Sequence, residues 1–368
     1  MTKMIPIIGL MAGTSIDGID AALVMTDGHA ITRTPFAATM PYADETRAAI
    51  FALMDTPHDQ IHQDRHALDL NLGAMIARDH ANACNAIIAE SGITPSLVGF
   101  HGQTILHDPD HGISIQLGNA DELAQRLGCQ VVHSFRQDDL KAGGQGAPLA
   151  PIYHQAIMAE LDLPLPSAMV NIGGISNISL VQGGKLIGFD SGPGNALMDD
   201  AMRKYDGSAC DVNGELAASG APDLNKVAAV LSHEYFHLTG PKSLDRMGLY
   251  QLIHGCGFDQ LPPADHLASL TLLTARSIID GLKRNADTVH HLVVCGGGGL
   301  NPTLMAMIND AAGDITVSRM EDLGGDSRFI EAELMAYLAA RSLNGLPLTF
   351  PNTTGVPAPQ TGGMIAYP

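Results

Sequence analysis

The feature that most restricts this chain is a local grammar that occurs twice. An apolar run at 5–10 meets the turn AGTSIDG and a second apolar run at 19–25. The arrangement returns as an apolar run at 168–172, the turn GGISN, a run at 178–181 and, past QGG, another at 185–189. Apolar runs joined by Gly, Ser, Thr and Asp read as β-hairpins. The turns begin at Gly13 and Gly173, 160 residues apart, a period too long for a solenoid and close to the size of a domain. A duplicated domain is the economical explanation, and 368 residues at roughly 150 per domain agree with it.

Helical patterns lie between the hairpins. Residues 64–91 place Leu68, Leu72, Met75, Ile76 and Ile87 near helical spacing, and 267–282 and 330–343 read the same way. LVGFHGQT predicts a short buried strand ending in a polar turn, and 291–295 a strand running into GGGG. Strands alternating with helices predict α/β layers with partly parallel sheets. DDLKAGGQGAPLAP interrupts the pattern within 128–151, as a linker or, with Arg136, Asp138, Asp139 and Gln145, as the lining of a cleft. The segment from Asn344 onward, rich in Pro, Gly and Thr, predicts an extended return.

Composition excludes several classes. At 45% apolar residues the chain can build sizeable cores, which rules out disorder as its main state. A net charge of −19 makes nucleic acid a poor partner, because phosphate backbones need clustered Lys and Arg. The five cysteines are scattered without a CxxC pair, which points to a reducing compartment and away from disulfides or a Cys-rich zinc site. The opening MTKMIPIIGLMAG resembles a signal peptide superficially, but Asp17 and Asp20 follow at once and a buried first strand is the better reading. No uninterrupted apolar stretch reaches the ~18 residues of a membrane span, so the cytoplasm is the expected location.

Three glycine-rich elements could carry chemistry. GTSIDG at 13–18 offers unobstructed backbone N–H groups beside the Thr14 and Ser15 hydroxyls, and so reads as a phosphate cradle or as an ordinary tight turn. The turn at 173–177 has the same two readings, and together the pair could clamp a polyphosphate. VVCGGGGLN at 293–301 lets backbone approach a flat ligand such as a base, or is a flexible strand–helix junction. Neither GxGxxG nor GxxxxGK[ST] occurs, so no Rossmann or P-loop site is indicated. In GFDSGPGNALMDD, Asp190 ends a strand ahead of a Gly-Pro-Gly turn and Asn195 reads as a helix N-cap. Asp190 is either a general base above a cleft or a structural cap. His101, His107 and His111 fall close together but lack HExxH spacing, so a zinc site is not expected and His101 reads as a ligand-contacting or turn-fixing residue. A Ser-His-Asp hydrolase is not indicated either, for want of a GxSxG elbow.

The blocks GLMAGTSIDGIDAAL, GFHGQT, QLGN, FRQDDLKAGGQGAPLAPIYH, NIGGISNISL, GFDSGPGNALMD and VCGGGGLN occur in this order, and with them the chain resembles the anhydro-N-acetylmuramic acid kinases over essentially its whole length. The resemblance implies duplicated actin-like ATPase domains of ribonuclease H-like α/β fold with a central cleft. It divides the chain as 1–130, with the first phosphate loop, and 131–345, with the base, the second phosphate loop and the adenosine loop; 346–368 packs back on the first. ATP contacts are implied for Ala12, Gly13, Thr14, Ser15, Ile16, Asp17, Gly18 and Ile19, for Gly173, Gly174 and Asn177, and for Gly296, Gly297, Gly298, Gly299 and Asn301. Asp190 is the implied base, and His101, Gln103, Gln116, Arg136, Asp139 and Glu331 the implied sugar contacts.

The implied reaction uses Mg-ATP, with Mg2+ carried by the nucleotide rather than by protein side chains. Water activated by Asp190 opens the 1,6-anhydro bond and the freed O6 takes the γ-phosphoryl group, giving N-acetylmuramic acid 6-phosphate in peptidoglycan recycling. A homodimer is expected. Ala12 stands where the family usually has Ser, Ser134 where it has Asp, and Gln137 and Asp138 where many members carry Arg, changes that bear on substrate affinity. The other readings are an actin- or Hsp70-like ATPase acting on a protein partner, or a different amino-sugar kinase of the same superfamily.

Overall fold

A computed structural model describes residues 3–54, 56, 58–244 and 246–368. By its internal contacts the chain forms two units, Met1–Glu160 with Arg328–Pro368, and Leu161–Ser327. The first unit holds β1 (Ile5–Ala12), β2 (Ile19–Thr26), β3 (Ile31–Met40), β4 (Leu97–Asp108), β5 (Ile113–Leu117) and β6 (Val131–His133). The second holds β7 (Ser167–Ile172), β8 (Ile175–Gln182), β9 (Lys185–Pro193), β10 (His291–Cys295) and β11 (Thr316–Arg319). The last strand, β12 (Met364–Ala366), belongs to the first unit and pairs antiparallel with β6.

The duplication read from the hairpins is present in the strand order. The first sheet runs β3-β2-β1-β4-β6-β12, with β5 paired to β4, and the second runs β9-β8-β7-β10-β11. In each, the first three strands are an antiparallel meander. β4 and β10 then pair parallel with the first strand of their meander, and β6 and β11 add parallel to them. Parallel joints require crossovers, and helices supply them.

Side-chain alternation sorts β1 between two layers. Ile8 and Leu10 enter a core with Leu72, Ile76 and Ile87 of the helix His58–Ser91. Gly9 faces the other way, beside its parallel partner Gly99, onto the helix Ile330–Leu343. A Cβ on Gly9 would lie 1.8 Å from the Ala332 carbonyl oxygen, and one on Gly99 2.0 Å from that of Met335. Ala332, Ala336 and Ala339 are fully buried there, so small residues on both sides let helix backbone rest on sheet backbone. This seam carries 328–368 into the first unit. A division near 130 and 345 is what the resemblance implies. Contacts gather differently, because β6, the helix Ala150–Glu160 and the helix Ile330–Leu343 all go with the first sheet.

In the second unit the helix Pro263–Asn285 packs on β8 and β9. Gly281 admits the Phe189 ring, and Gly192 sits against Ser277. Phe189, Leu197, Phe258, Leu270 and Ile278 share the resulting core.

Candidate active site

The first loop connects β1 to β2. Thr14, Ser15 and Asp17 are exposed, whereas Ala12, Ile16, Gly18 and Ile19 are buried and form its floor. Ile16 donates its N–H to the Gly13 carbonyl at 3.2 Å and holds a left-handed φ of +57°, rare for a β-branched residue. That conformation persists because surrounding structure enforces it. Gln103, fully buried, donates from Nε2 to the Gly13 carbonyl at 3.1 Å and accepts from the Tyr42 hydroxyl at 3.1 Å. Arg47 Nε reaches the Ile16 carbonyl at 3.4 Å.

A second cluster forms around Arg136. Its Nε and Nη2 approach His101 Nε2 at 3.1 and 3.0 Å, and Nη1 donates to the Gly146 carbonyl at 2.8 Å. His101 Nδ1 faces the Gly102 carbonyl at 3.0 Å, so Nδ1 carries the proton and Nε2 accepts. Burial, then the guanidinium, pushes the His101 pKa down to about 3. Arg136 is itself lowered to about 10 by burial, against the attraction of Glu331 and Asp139. Glu331 is exposed at its surface, yet crowding by protein raises its carboxyl pKa, with Arg136 opposing and Asp20 reinforcing.

Not every implied sugar contact has a free polar atom. Asp139 is buried and accepts from the Gly146 N–H at 2.6 Å, the Thr354 hydroxyl at 2.6 Å, and the Thr349 hydroxyl. It ties the AGGQGAPL loop to the C-terminal segment. Gln103 is committed to the first loop. Gln116 is half-buried and donates to Ser114 Oγ at 2.8 Å. The residues that depart from the family pattern have local partners: Ser134 with His133, Gln137 with the Ser114 carbonyl and Asp138 with Lys141. The three clustered histidines diverge, His107 toward Ser114 and His111 toward Asp108. Among the described residues no group of His, Cys, Asp or Glu is set to hold a metal ion.

In the second unit the turn after β7 interlocks with the segment after β9. Asn195 N–H donates to the Gly173 carbonyl at 2.7 Å and Gly194 N–H to that of Gly174 at 3.0 Å. Gly194 is required, since a Cβ would lie 2.2 Å from the Gly173 oxygen. Asn195 was expected to cap the following helix. Its amide instead donates to the Ile172 carbonyl at 3.1 Å, beside the glycine loop. That loop, Gly297–Leu300, is a short 3-10 turn, and Asn301 caps the next helix by accepting from Leu304 N–H at 3.0 Å. A cavity of about 330 Å³ opens here, lined by Asn195, Met198, Asp199, Cys210, Asp211, Val212, Asn213, Gly297, Leu300 and Asn301. Its size is within the range of small-ligand pockets.

Asp190 lies at a β-bulge. Opposite β8, the register shifts between Ser176 and Asn177, so that Asn177 pairs with Asp190 and Ser176 with Gly192. Such a bulge re-aims a side chain. Three groups of the 235–244 segment hold Asp190. Its N–H donates to the Lys242 carbonyl at 2.9 Å, its carbonyl accepts from the Tyr235 hydroxyl at 2.7 Å, and Oδ2 accepts from Leu244 N–H at 2.9 Å. Lys242 closes this strap on itself, reaching the Tyr235 carbonyl at 2.9 Å and lying 4.4 Å from the centre of its ring. Burial raises the Asp190 pKa, with the Leu244 hydrogen bond and Lys242 partly opposing. One carboxylate oxygen is fixed and Oδ1 accepts no hydrogen bond among the described residues, an arrangement suited to a base. No local pattern announced Tyr42, Arg47, Tyr235 or Lys242, all distant in sequence from what they hold.

Three buried histidines of the first unit predict its acid sensitivity. His80 and His154 are held down to about 4 and His101 to about 3, chiefly by burial. Above pH 6.5 they are neutral folded and unfolded alike. Below it, the unfolded chain gains protons that the folded chain refuses, so stability falls between about pH 6.5 and 4, at most by about 1.4 kcal/mol per histidine per pH unit. Urea midpoints at pH 7.5 and 5 check this, and equal midpoints would contradict it.

The family model for anhydro-N-acetylmuramic acid kinase matches residues 5–368. A protein of that name from Rhodospirillum rubrum is 43% identical over 363 residues, covering 97% of this chain and 92% of the relative. One from Nitrobacter winogradskyi is 39% identical over 370 residues, covering 99% and 100%. One from Rhodopseudomonas palustris is 42% identical over 366 residues, covering 98% and 99%. The chain belongs to the anhydro-N-acetylmuramic acid kinase family.

Proposed function

We propose that the chain opens the 1,6-anhydro bond of anhydro-N-acetylmuramic acid and phosphorylates O6 at the expense of ATP, as a step of peptidoglycan recycling. Asp190 takes a proton from water, whose oxygen bonds to the anomeric carbon while the C1–O6 bond breaks. The O6 electron pair then attacks the γ-phosphorus and ADP leaves with the bridging oxygen. Positioning and electrostatics suffice for the phosphoryl transfer itself. The observation that carries the reading is the Asp190 carboxylate, held by one oxygen, open at the other and raised in pKa.

Arg136 and Glu331 are the proposed sugar contacts, with His101 orienting the guanidinium. The first loop and the Gly173–Gly174 turn receive phosphates, and the cavity at Gly297 and Asn301 receives the adenosine. Mg2+ enters with the nucleotide. Mg2+ characteristically keeps several waters and binds through phosphates. When bound, it offsets phosphate charge. A cytoplasmic homodimer belongs to the same proposal.

A coupled ADP-release assay over a panel of anhydro and ordinary amino sugars tests the reading. Turnover is expected with the anhydro sugar. ADP release indifferent to any sugar would favour an ATPase acting on a protein partner.

A further inference from the structure

We propose that Gln103 is a positioning residue of the nucleotide phosphate loop, with Tyr42 as its brace, and makes no contact with the sugar. This rests on the reading that the loop at 13–18 receives phosphate. Gln103 is fully buried and Tyr42 nearly so. The amide orientation is forced by its neighbours: Nε2 faces two carbonyls, of Gly13 at 3.1 Å and Thr104 at 3.4 Å, while Oε1 faces the Tyr42 hydroxyl at 3.1 Å. Carbonyls only accept, so Nε2 must donate to them and Oε1 must accept from tyrosine. Both polar atoms of the Gln103 amide are thus engaged within the protein.

The consequence for the loop follows from peptide geometry. In a trans peptide the C=O and N–H point in opposite directions. Gln103 draws the Gly13 carbonyl inward, which turns the Thr14 N–H outward. Arg47 draws the Ile16 carbonyl in the same manner, at 3.4 Å, which turns the Asp17 N–H away from Arg47. Between them Ile16 is left-handed, with φ +57°. The Ile16 N–H is spent on the Gly13 carbonyl at 3.2 Å, so the N–H groups that this turn leaves for an anion are those of Thr14 and Asp17. The brace continues behind Tyr42: Ala43 N–H donates to Asp79 Oδ2 at 3.0 Å, and the His80 ring lies edge-on to Tyr42 with centroids 5.8 Å apart. Gln103 thus transmits the rigidity of the helix His58–Ser91 to a loop with three exposed side chains, Thr14, Ser15 and Asp17.

The experiment measures Mg-ADP binding by calorimetry together with KM for the anhydro sugar. Gln103→Leu is expected to weaken Mg-ADP binding about tenfold, the worth of one buried hydrogen bond, and to leave the sugar KM unchanged. Unchanged Mg-ADP affinity, or a raised sugar KM with nucleotide affinity intact, would overturn the proposal. Should Gln103→Leu fail to fold, Tyr42→Phe keeps the amide and removes only its brace. It is expected to weaken Mg-ADP binding about threefold, and no change there would equally overturn the proposal. Thr14→Glu, on an exposed position, separates this proposal from the reading beneath it. If the new carboxylate leaves Mg-ADP affinity intact, the loop holds no phosphate and both fall. If it weakens binding while Gln103→Leu does not, only the role of Gln103 falls.

Discussion

Asp190→Asn is expected to lower kcat by about a thousandfold, the usual weight of a general base, with KM for both substrates little changed. The fold should survive, because asparagine still offers an oxygen to the Leu244 N–H that now meets Oδ2 at 2.9 Å. The backbone bonds to Lys242 and Tyr235 do not involve the side chain at all. What is lost is proton uptake. The wild-type pH profile carries the same information. A base must be ionised to act, so activity falls as pH drops through its pKa, and burial sets that limb above the ordinary aspartate range. Lys242 pulls in the opposite sense, so Lys242→Met should move the limb further up. Turnover close to wild type in Asp190→Asn would remove Asp190 from the chemistry.

The second large effect is on folding. Gly9→Ala is expected to cost roughly 3 kcal/mol or more, or to abolish soluble protein, because the added methyl enters the Ala332 carbonyl at 1.8 Å. Ala336 N stands 2.6 Å from the same point, so both obstacles are helix backbone and cannot rotate away. Relief would require lifting the helix Ile330–Leu343 off β1 and β4, which uncovers Ala332, Met335 and Ala336. Gly255→Ala is the control, since nothing lies within 4 Å of a Cβ there. Denaturant midpoints compare the two, and an unshifted midpoint for Gly9→Ala would show that the seam is looser than described.

Gly9 and its strand partner Gly99 also mark the boundary of what a sequence states locally. The hairpins announced themselves through apolar runs and turn residues, and their spacing gave the duplication that the matching strand orders display. Asp190 drew notice as a carboxylate ending a strand before a Gly-Pro-Gly turn, but β9 runs on through Pro193 and Asp190 sits at a bulge within it, a position that only the pairing with β8 defines. The docking of 330–343 onto β1 and β4 was not legible. It depends on Gly9, Gly99 and Ala332, which come together only across long stretches of chain. For that reason the division into units falls at 160 and 327 rather than near 130 and 345. The strap on Asp190 is of the same kind, since Tyr235 and Lys242 carry no motif and reach it only through the fold. Gln103 and Asp139 show the converse. Polar residues inside distinctive blocks read as ligand contacts, yet their hydrogen bonds are spent on the Gly13 and Gly146 backbone.

Coupled ring opening and phosphorylation is tested by the mass of the product formed from anhydro-N-acetylmuramic acid and Mg-ATP in isotopically labelled water. The expected product is heavier than the substrate by one phosphoryl group and one water, with the label on the anomeric carbon and phosphate on O6. A phosphorylated product that keeps the anhydro ring and takes up no water would contradict it.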